Sequence, residues 1–120
     1  MKVEYIYLIL ALILNAGGNV LMKVGAKDII SFKTLNFLEA IAKNYILIIG
    51  LALFAFNVIF YILALSKINL SIAYPVMVGG GFLLISLTSF LYLKESISLL
   101  QIIGIIMVFS GIILFFLNSK

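Results

Sequence analysis

Five side chains in this sequence have the chemistry to hold a polar molecule inside an otherwise oily chain. They are the amides of Asn15, Asn19 and Asn57 and the phenols of Tyr61 and Tyr74. Asn15, Gly18, Asn19 and Met22 fall three and four residues apart, the spacing that stacks side chains on one face of a helix. Asn57 and Tyr61, four apart, repeat the pattern in a second segment. An amide at mid-membrane costs free energy unless it is bonded, so these groups are expected to face the protein interior or a wet cavity. Two roles follow. The amides act as interhelical glue, at about 0.6 kcal/mol per bond on average, or they line a neutral, hydrogen-bonding chamber for a substrate. Both stay open on the residues alone.

The missing residue types narrow the chemistry further. Glu4, Asp28, Glu39 and Glu95 all lie near the ends of apolar segments, so no carboxylate sits inside one. The chain has no histidine and no cysteine, which removes the usual proton shuttle, metal ligand and thiolate. Most general acid/base and nucleophilic arrangements go with them, and nothing resembles a phosphate loop or metal box. The expectation is a protein that is not an enzyme and uses no cofactor or metal. The net charge of +4 is spread over the segment ends, as membrane-flanking lysines are, and forms no patch for nucleic acid. Lys23, the deepest cation, is close enough to its segment's end to snorkel; a phosphate-binding role is the alternative.

The elements that must position these groups are set by composition. Of the 120 residues, 66% are hydrophobic and 10% charged, against about 45–50% and about 25% in soluble domains. With a mean hydropathy of +1.37, the chain reads as an integral, multi-pass membrane protein, expected in the plasma (inner) membrane. Four apolar segments, about 5–22, 45–65, 72–93 and 99–117, are each near the length of one spanning helix. The connections K-I-N-L-S and K-E-S-I-S are short enough to make neighbours antiparallel. The expected fold is an all-α membrane protein, four transmembrane helices in an up-down bundle, as one domain over residues 1–120.

The one long connection, Gly25–Asn44, places Leu35, Leu38, Ile41 and Ala42 on a helical stripe. Residues 33–44 therefore read as a short interfacial helix or an early start of the second spanning helix. Tyr5, Tyr7, Tyr45 and Tyr92 lie near segment ends, where aromatic rings prefer the headgroup level. The first apolar run is too long for a cleavable signal peptide, and no A-x-A-like site follows it. Lys2, Lys67 and Lys120 fall on one side; Lys23, Lys27, Lys33, Lys43 and Lys94 fall on the other. The positive-inside rule makes the second side cytoplasmic and puts both termini outside. The bias is small, and dual insertion stays open.

The third segment, Ser71–Ser89, carries Pro75 and the triplet Gly79, Gly80 and Gly81. Proline removes a backbone donor and glycine weakens a helix, so this element is expected to bend or to admit another chain closely. In lipid such a defect is tolerated where protein neighbours or a water-filled cavity re-satisfy the backbone. In the fourth segment Gly104 and Gly111 are seven apart on one face, a spacing that lets helices approach closely. That segment, with Ser110 its one candidate cavity group, reads as a dimerisation helix.

The chain resembles the small four-helix members of the drug/metabolite transporter superfamily, above all the small multidrug resistance proteins. The resemblance covers nearly the whole chain apart from the longer first connection. It rests on Y-I-Y-L at Tyr5–Leu8, G-N-V-L-M-K at Gly18–Lys23, I-A-Y at Ile72–Tyr74, the glycines at 79 and 81, L-I-S-L at Leu84–Leu87, and I-I-G-x6-G ending at Gly111. It implies an antiparallel or pseudo-symmetric dimer with a substrate chamber between the first three helices of both chains. The fourth helix would hold the dimer, and alternating access would bend the third at its glycines. Tyr5 and Tyr74 fall where the family has chamber tyrosines.

Two departures matter. Where the family's cation exporters keep a glutamate in the first helix, this chain has Asn15. An amide does not titrate, so alternating proton and cation binding is not available there. The family's third-helix tryptophan is replaced by Met77. A-Y-P at Ala73–Pro75 and K-E-S at Lys94–Ser96 are instead similar to larger, EamA-like superfamily members and to the paired subunits that flip lipid-linked aminoarabinose.

The expectation from these residues is a small transporter or flippase for a neutral, polar or lipid-linked metabolite. Its partners would be membrane lipid and a second four-helix chain, in a homodimer or a heterodimer. One alternative is export of hydrophobic cations, their charge met by the faces of Tyr5, Tyr61 and Tyr74. Another, of a different class, is a non-transporting partner subunit.

Overall fold

The computed structural model describes residues 2–27, 29 and 36–118. Among the described residues five helices form: α1 (Val3–Lys27), α2 (Phe37–Lys43), α3 (Tyr45–Leu65), α4 (Leu70–Leu91) and α5 (Leu99–Asn118). Among the described residues α1, α3 and α4 are long and apolar enough to cross a membrane, and α5 adds a shorter apolar stretch, Leu99–Phe115. The chain is an all-α, four-helix membrane bundle with one short extra helix.

Helix α1 continues beyond the apolar run at 5–22 because nothing after Met22 stops a helix. Glu4 in its first turn and Lys27 in its last also suit the helix dipole. Residues 33–35, the start of the expected helix in the long connection and with them Leu35 of its stripe, lie outside the described residues. Its remainder forms a short separate helix, α2, and α3 begins only at Tyr45, so the second spanning helix has no early start. α2 meets α3 at Asn44, a residue that is not helical (φ −99°, ψ 33°). The Asn44 N–H and its side-chain Nδ2 both donate to Ala40 O, at 3.1 and 2.8 Å. Ile48 N–H in turn donates to Asn44 O at 3.0 Å. The corner is thus satisfied from both sides, with Phe37 and Leu38 left exposed.

Helix α5 starts with a reciprocal cap. Ser98 N–H donates to Gln101 Oε1 at 2.7 Å, and Gln101 N–H donates to Ser98 Oγ at 3.3 Å. This is the S-x-x-Q form of the capping box, which satisfies two otherwise orphaned donors.

Packing places the helices in the order α3, α1, α4, α5. α1 lies against both α3 and α4, which barely touch each other, and α5 packs on α4 alone among the described helices. The α1–α3 crossing is made by glycine. A Cβ at Gly18 would lie 2.9 Å from Gly50 O, and one at Gly50 would lie 2.8 Å from Met22 N. One at Gly25 would lie 2.6 Å from Leu47 N. The two backbones run antiparallel and nearly in contact, the small-residue packing by which helices associate in lipid. The buried apolar residues around α1 are correspondingly small, chiefly Ala11, Ala16, Ala64 and Ala73, with Leu8 and Met77.

Gly18→Ala and Gly50→Ala should each destabilise the fold by about 1–3 kcal/mol, since at both the added methyl group strikes backbone atoms, joined at Gly50 by Met22 Cγ at 3.0 Å. Gly17→Ala meets nothing closer than Leu53 Cδ1 at 3.9 Å and should leave thermal unfolding in detergent unchanged.

Candidate functional site

A polar layer crosses the centre of the helix row. On α1, Asn19 Nδ2 donates to Asn15 O at 2.8 Å and to Asn15 Oδ1 at 3.0 Å. This pair satisfies much of its own hydrogen bonding within one helix turn. Asn15 Nδ2 lies toward α4, where a Cβ on Gly81 would come within 3.0 Å of it. On α3, Asn57 is only 6% exposed, and its Oδ1 is buried without a hydrogen-bond partner. The antiparallel register that sets Gly18 against Gly50 and Phe54 brings Asn57 to the level of Asn15. One turn further along α3, the buried Tyr61 hydroxyl also lacks a partner. Each orphan costs about 1–3 kcal/mol of desolvation, and lipid offers no water to relieve it.

Tyr61 and Met77 pack with the cluster of Leu8, Ala11, Ala64, Ile68 and Ala73. Tyr5 and Tyr74 do not join them, because both face outward from the single chain. Tyr7 sits against that cluster instead, its ring 6.1 Å from that of Phe60. The signal for it was present: Tyr7, Ala11, Asn15 and Asn19 recur every four residues, and Tyr5 is off that stripe.

Helix α4 runs unbroken through Pro75 and the three glycines. Those glycines act as close-approach points. Gly80 faces Leu12 and Gly81 faces Asn15 on α1, while Gly79 faces Ile112 on α5. Gly104 and Gly111 have no atom within 4 Å of a Cβ position, and most of α5 is exposed. Ser110 Oγ donates to Ile106 O at 2.8 Å within the same helix, so its hydroxyl is already used.

At one end of the row, Lys23 Nζ of α1 lies 3.2 Å from Glu95 Oε1 in the α4–α5 connection. Three local features aim Glu95 there. Lys94 takes a left-handed backbone conformation (φ 53°), Glu95 N–H donates to Ser89 O at 3.2 Å, and Ser89 Oγ donates to Glu95 Oε2. The bond from Ser89, and after it the bond and charge of Lys23, hold the Glu95 carboxyl below its ordinary pKa; Lys27 adds to the effect. A cleft of about 180 Å³ lies between α1 and α4 and is lined by Asn19, Lys23, Ser89 and Glu95 among others, so the polar layer opens toward this mouth. The sequence offers Lys23 as an end-of-helix anchor or a phosphate binder, but not as the partner of Glu95, which is distant in sequence. Among the described residues no group of three or more His, Cys, Asp or Glu could hold a metal ion.

A bundle of antiparallel spanning helices with a glycine-packed centre and a buried amide layer defines a small polytopic membrane protein with a polar interior. Residues 3–108 match the Small Multidrug Resistance protein family, and the chain belongs to it, a family of membrane transporters. The "Uncharacterized membrane protein YvaE" of Bacillus subtilis (strain 168) is 26% identical over 110 residues, covering 92% of this chain and 82% of that protein. The "Uncharacterized protein y4nH" of Sinorhizobium fredii is 33% identical over 64 residues, covering 53% of this chain and 55% of that one. No solved structure matches the chain.

Two measurements check this geometry. Asn57→Leu removes an orphaned acceptor and should raise stability by about 1–2 kcal/mol, while Asn57→Asp should lower it. For Glu95, the folded-state pKa is lowered, so its contribution is present above the ordinary glutamate value and fades as pH falls through the folded one. The melting-temperature difference between the native chain and Glu95→Gln should therefore hold constant through neutral pH and shrink only in acid.

Proposed function

We propose that the chain works as a dimeric, alternating-access transporter for a neutral polar or lipid-linked substrate, in which Asn15, Asn19, Asn57 and Tyr61 line the chamber. The observation that carries this reading is the pair of orphaned polar groups, the Asn57 Oδ1 acceptor and the Tyr61 hydroxyl, which both donates and accepts, in a layer with no ionisable acid. Buried polar groups left unsatisfied in lipid are expensive and mark substrate pathways. Such groups gain most from a ligand that brings hydroxyl or amide donors.

Dimerisation supplies what one chain leaves open. Tyr5 and Tyr74 face outward, where a second copy or a similar four-helix partner would bring them to the chamber. The unfilled face at Gly104 and Gly111 fits a helix–helix contact between chains. Bending of α4 at Pro75 and Gly79–Gly81 would move Asn15's neighbour, Gly81, and so open or close the layer. The whole chain acts as one domain on this reading.

Export of hydrophobic cations is the second reading. It draws on family membership and on the outward rings of Tyr5 and Tyr74, which suit cation–π contact.

The experiment is a thermal-stability screen of purified protein against quaternary ammonium ions, guanidinium compounds, polyamines and polyprenyl-phosphate sugars. Ligands that bind only the folded state raise its melting temperature by mass action. The expected result is a shift with lipid-linked sugars that is lost in Asn15→Ala. A shift confined to organic cations would transfer the conclusion to the second reading. For assembly, Gly104→Leu with Gly111→Leu should convert the dimer to monomer in detergent, read by mass or by light scattering.

A further inference from the structure

The chain keeps no carboxylate in its membrane interior, yet it places one with care at the mouth of the cleft between α1 and α4. Glu95 is held by a left-handed residue before it, by a backbone bond to α4 and by the Ser89 hydroxyl. It is thereby presented to Lys23 of α1 at 3.2 Å. The two side chains are 54% and 42% exposed, so the pair is screened by solvent and salt and is weak as a stabiliser. A contact this well aimed and this exchangeable suits a part that opens and closes. It also joins two elements that must separate if α4 swings away from α1.

Glu95 has room on both sides. The cleft toward α1 is lined by Asn19, Lys23 and Ser89. On the other side a cleft of about 370 Å³ between α4 and α5 presents Ser86, Ser96 and Gln101. A small cation arriving there would find a carboxylate with hydroxyl and amide oxygens around it, and only the Lys23 ammonium to displace.

We propose that Lys23 and Glu95 form a gate at this mouth, and that a small ammonium ion opens it by replacing Lys23 on Glu95. The gate is operated by cation exchange rather than by protons at neutral pH. The groups facing Glu95 are Lys23 and Lys27 from α1, Ser89 from α4 and Gln101 across the α5 cleft, with Lys94 beside it in sequence. The cations and the Ser89 bond favour the ionised carboxylate, which therefore takes up a proton only in acid. The inference rests on the transporter reading for the purpose of the gate, and not on which substrate the chamber holds.

The absence of cysteine makes the test direct. Spin labels at Ala26→Cys and at the exposed Leu100→Cys report the distance between the end of α1 and the start of α5 in full-length protein in lipid nanodiscs. In the native background, methylammonium should shift the distribution toward longer distances, while sodium at equal ionic strength should not. Glu95→Gln should show the long distance without ligand, and Lys23→Gln serves in its place if that variant does not fold. The swap of Lys23→Glu with Glu95→Lys should restore the short distance. A distribution unmoved by methylammonium, an equal response to sodium, or a Glu95→Gln protein as closed as the native one would each overturn the gate. Chamber and gate fail separately: with Asn15→Ala the labels should still respond, whatever the ligand screen returns.

Discussion

The structure depends on the near-contact of two backbones inside lipid. Gly18, Gly25 and Gly50 let α1 and α3 approach until any Cβ would strike main-chain atoms. Between helices in a bilayer the gain comes from packing and hydrogen bonding, because lipid tails are as apolar as leucine. Close approach is therefore what makes α1 stay on α3. Its consequence is central placement: with α3 on one side and α4 on the other, α1 carries its polar stripe through the middle of the row.

That placement explains the polar layer. Asn15 and Asn19 sit on the helix that touches both neighbours. Asn15 fits against α4 only because Gly81 has no side chain. The same register brings Asn57 in from α3 with an acceptor that nothing among the described residues meets. A layer so arranged is poor glue, since glue would leave its partners satisfied. On the proposed function it is a lining whose partners would arrive with a substrate, at some cost in stability while empty. Family membership gives this lining its context, and Asn15 in place of the family's acid gives it a different chemistry.

Much of this was legible before any coordinates. The four apolar runs, their short antiparallel connections, the i, i+4 amides on the first segment and the Asn57–Tyr61 pair all follow from composition and helical periodicity. What stayed hidden depended on partners far away in sequence. Tyr7 lies inside and Tyr5 outside, as the four-residue stripe of Tyr7, Ala11, Asn15 and Asn19 implies once the face of α1 that meets its neighbours is known. Gly25, the first residue of the expected long connection, instead lies within α1 and is a contact point for Leu47. Lys23 looked like an anchor, and its pairing with Glu95 depends on a left-handed turn at Lys94 that no propensity would assign to a lysine. The end of the long connection could be a separate helix or an early start of the second spanning helix, and Asn44 decides between them by turning both its backbone and its side chain onto Ala40 and so separating α2 from α3.

The central claim is that the interior binds its ligand through neutral groups, with no titrating acid in the membrane. The most direct test counts protons. Binding of whichever ligand stabilises the protein is followed by calorimetry at neutral pH in buffers of different ionisation enthalpy. The account predicts a binding enthalpy that does not change with the buffer, because Asn15, Asn19, Asn57 and Tyr61 exchange no proton on binding. An enthalpy that varies with the buffer, corresponding to about one proton released per ligand, would mean that a carboxyl or phenol titrates in the site and would contradict it.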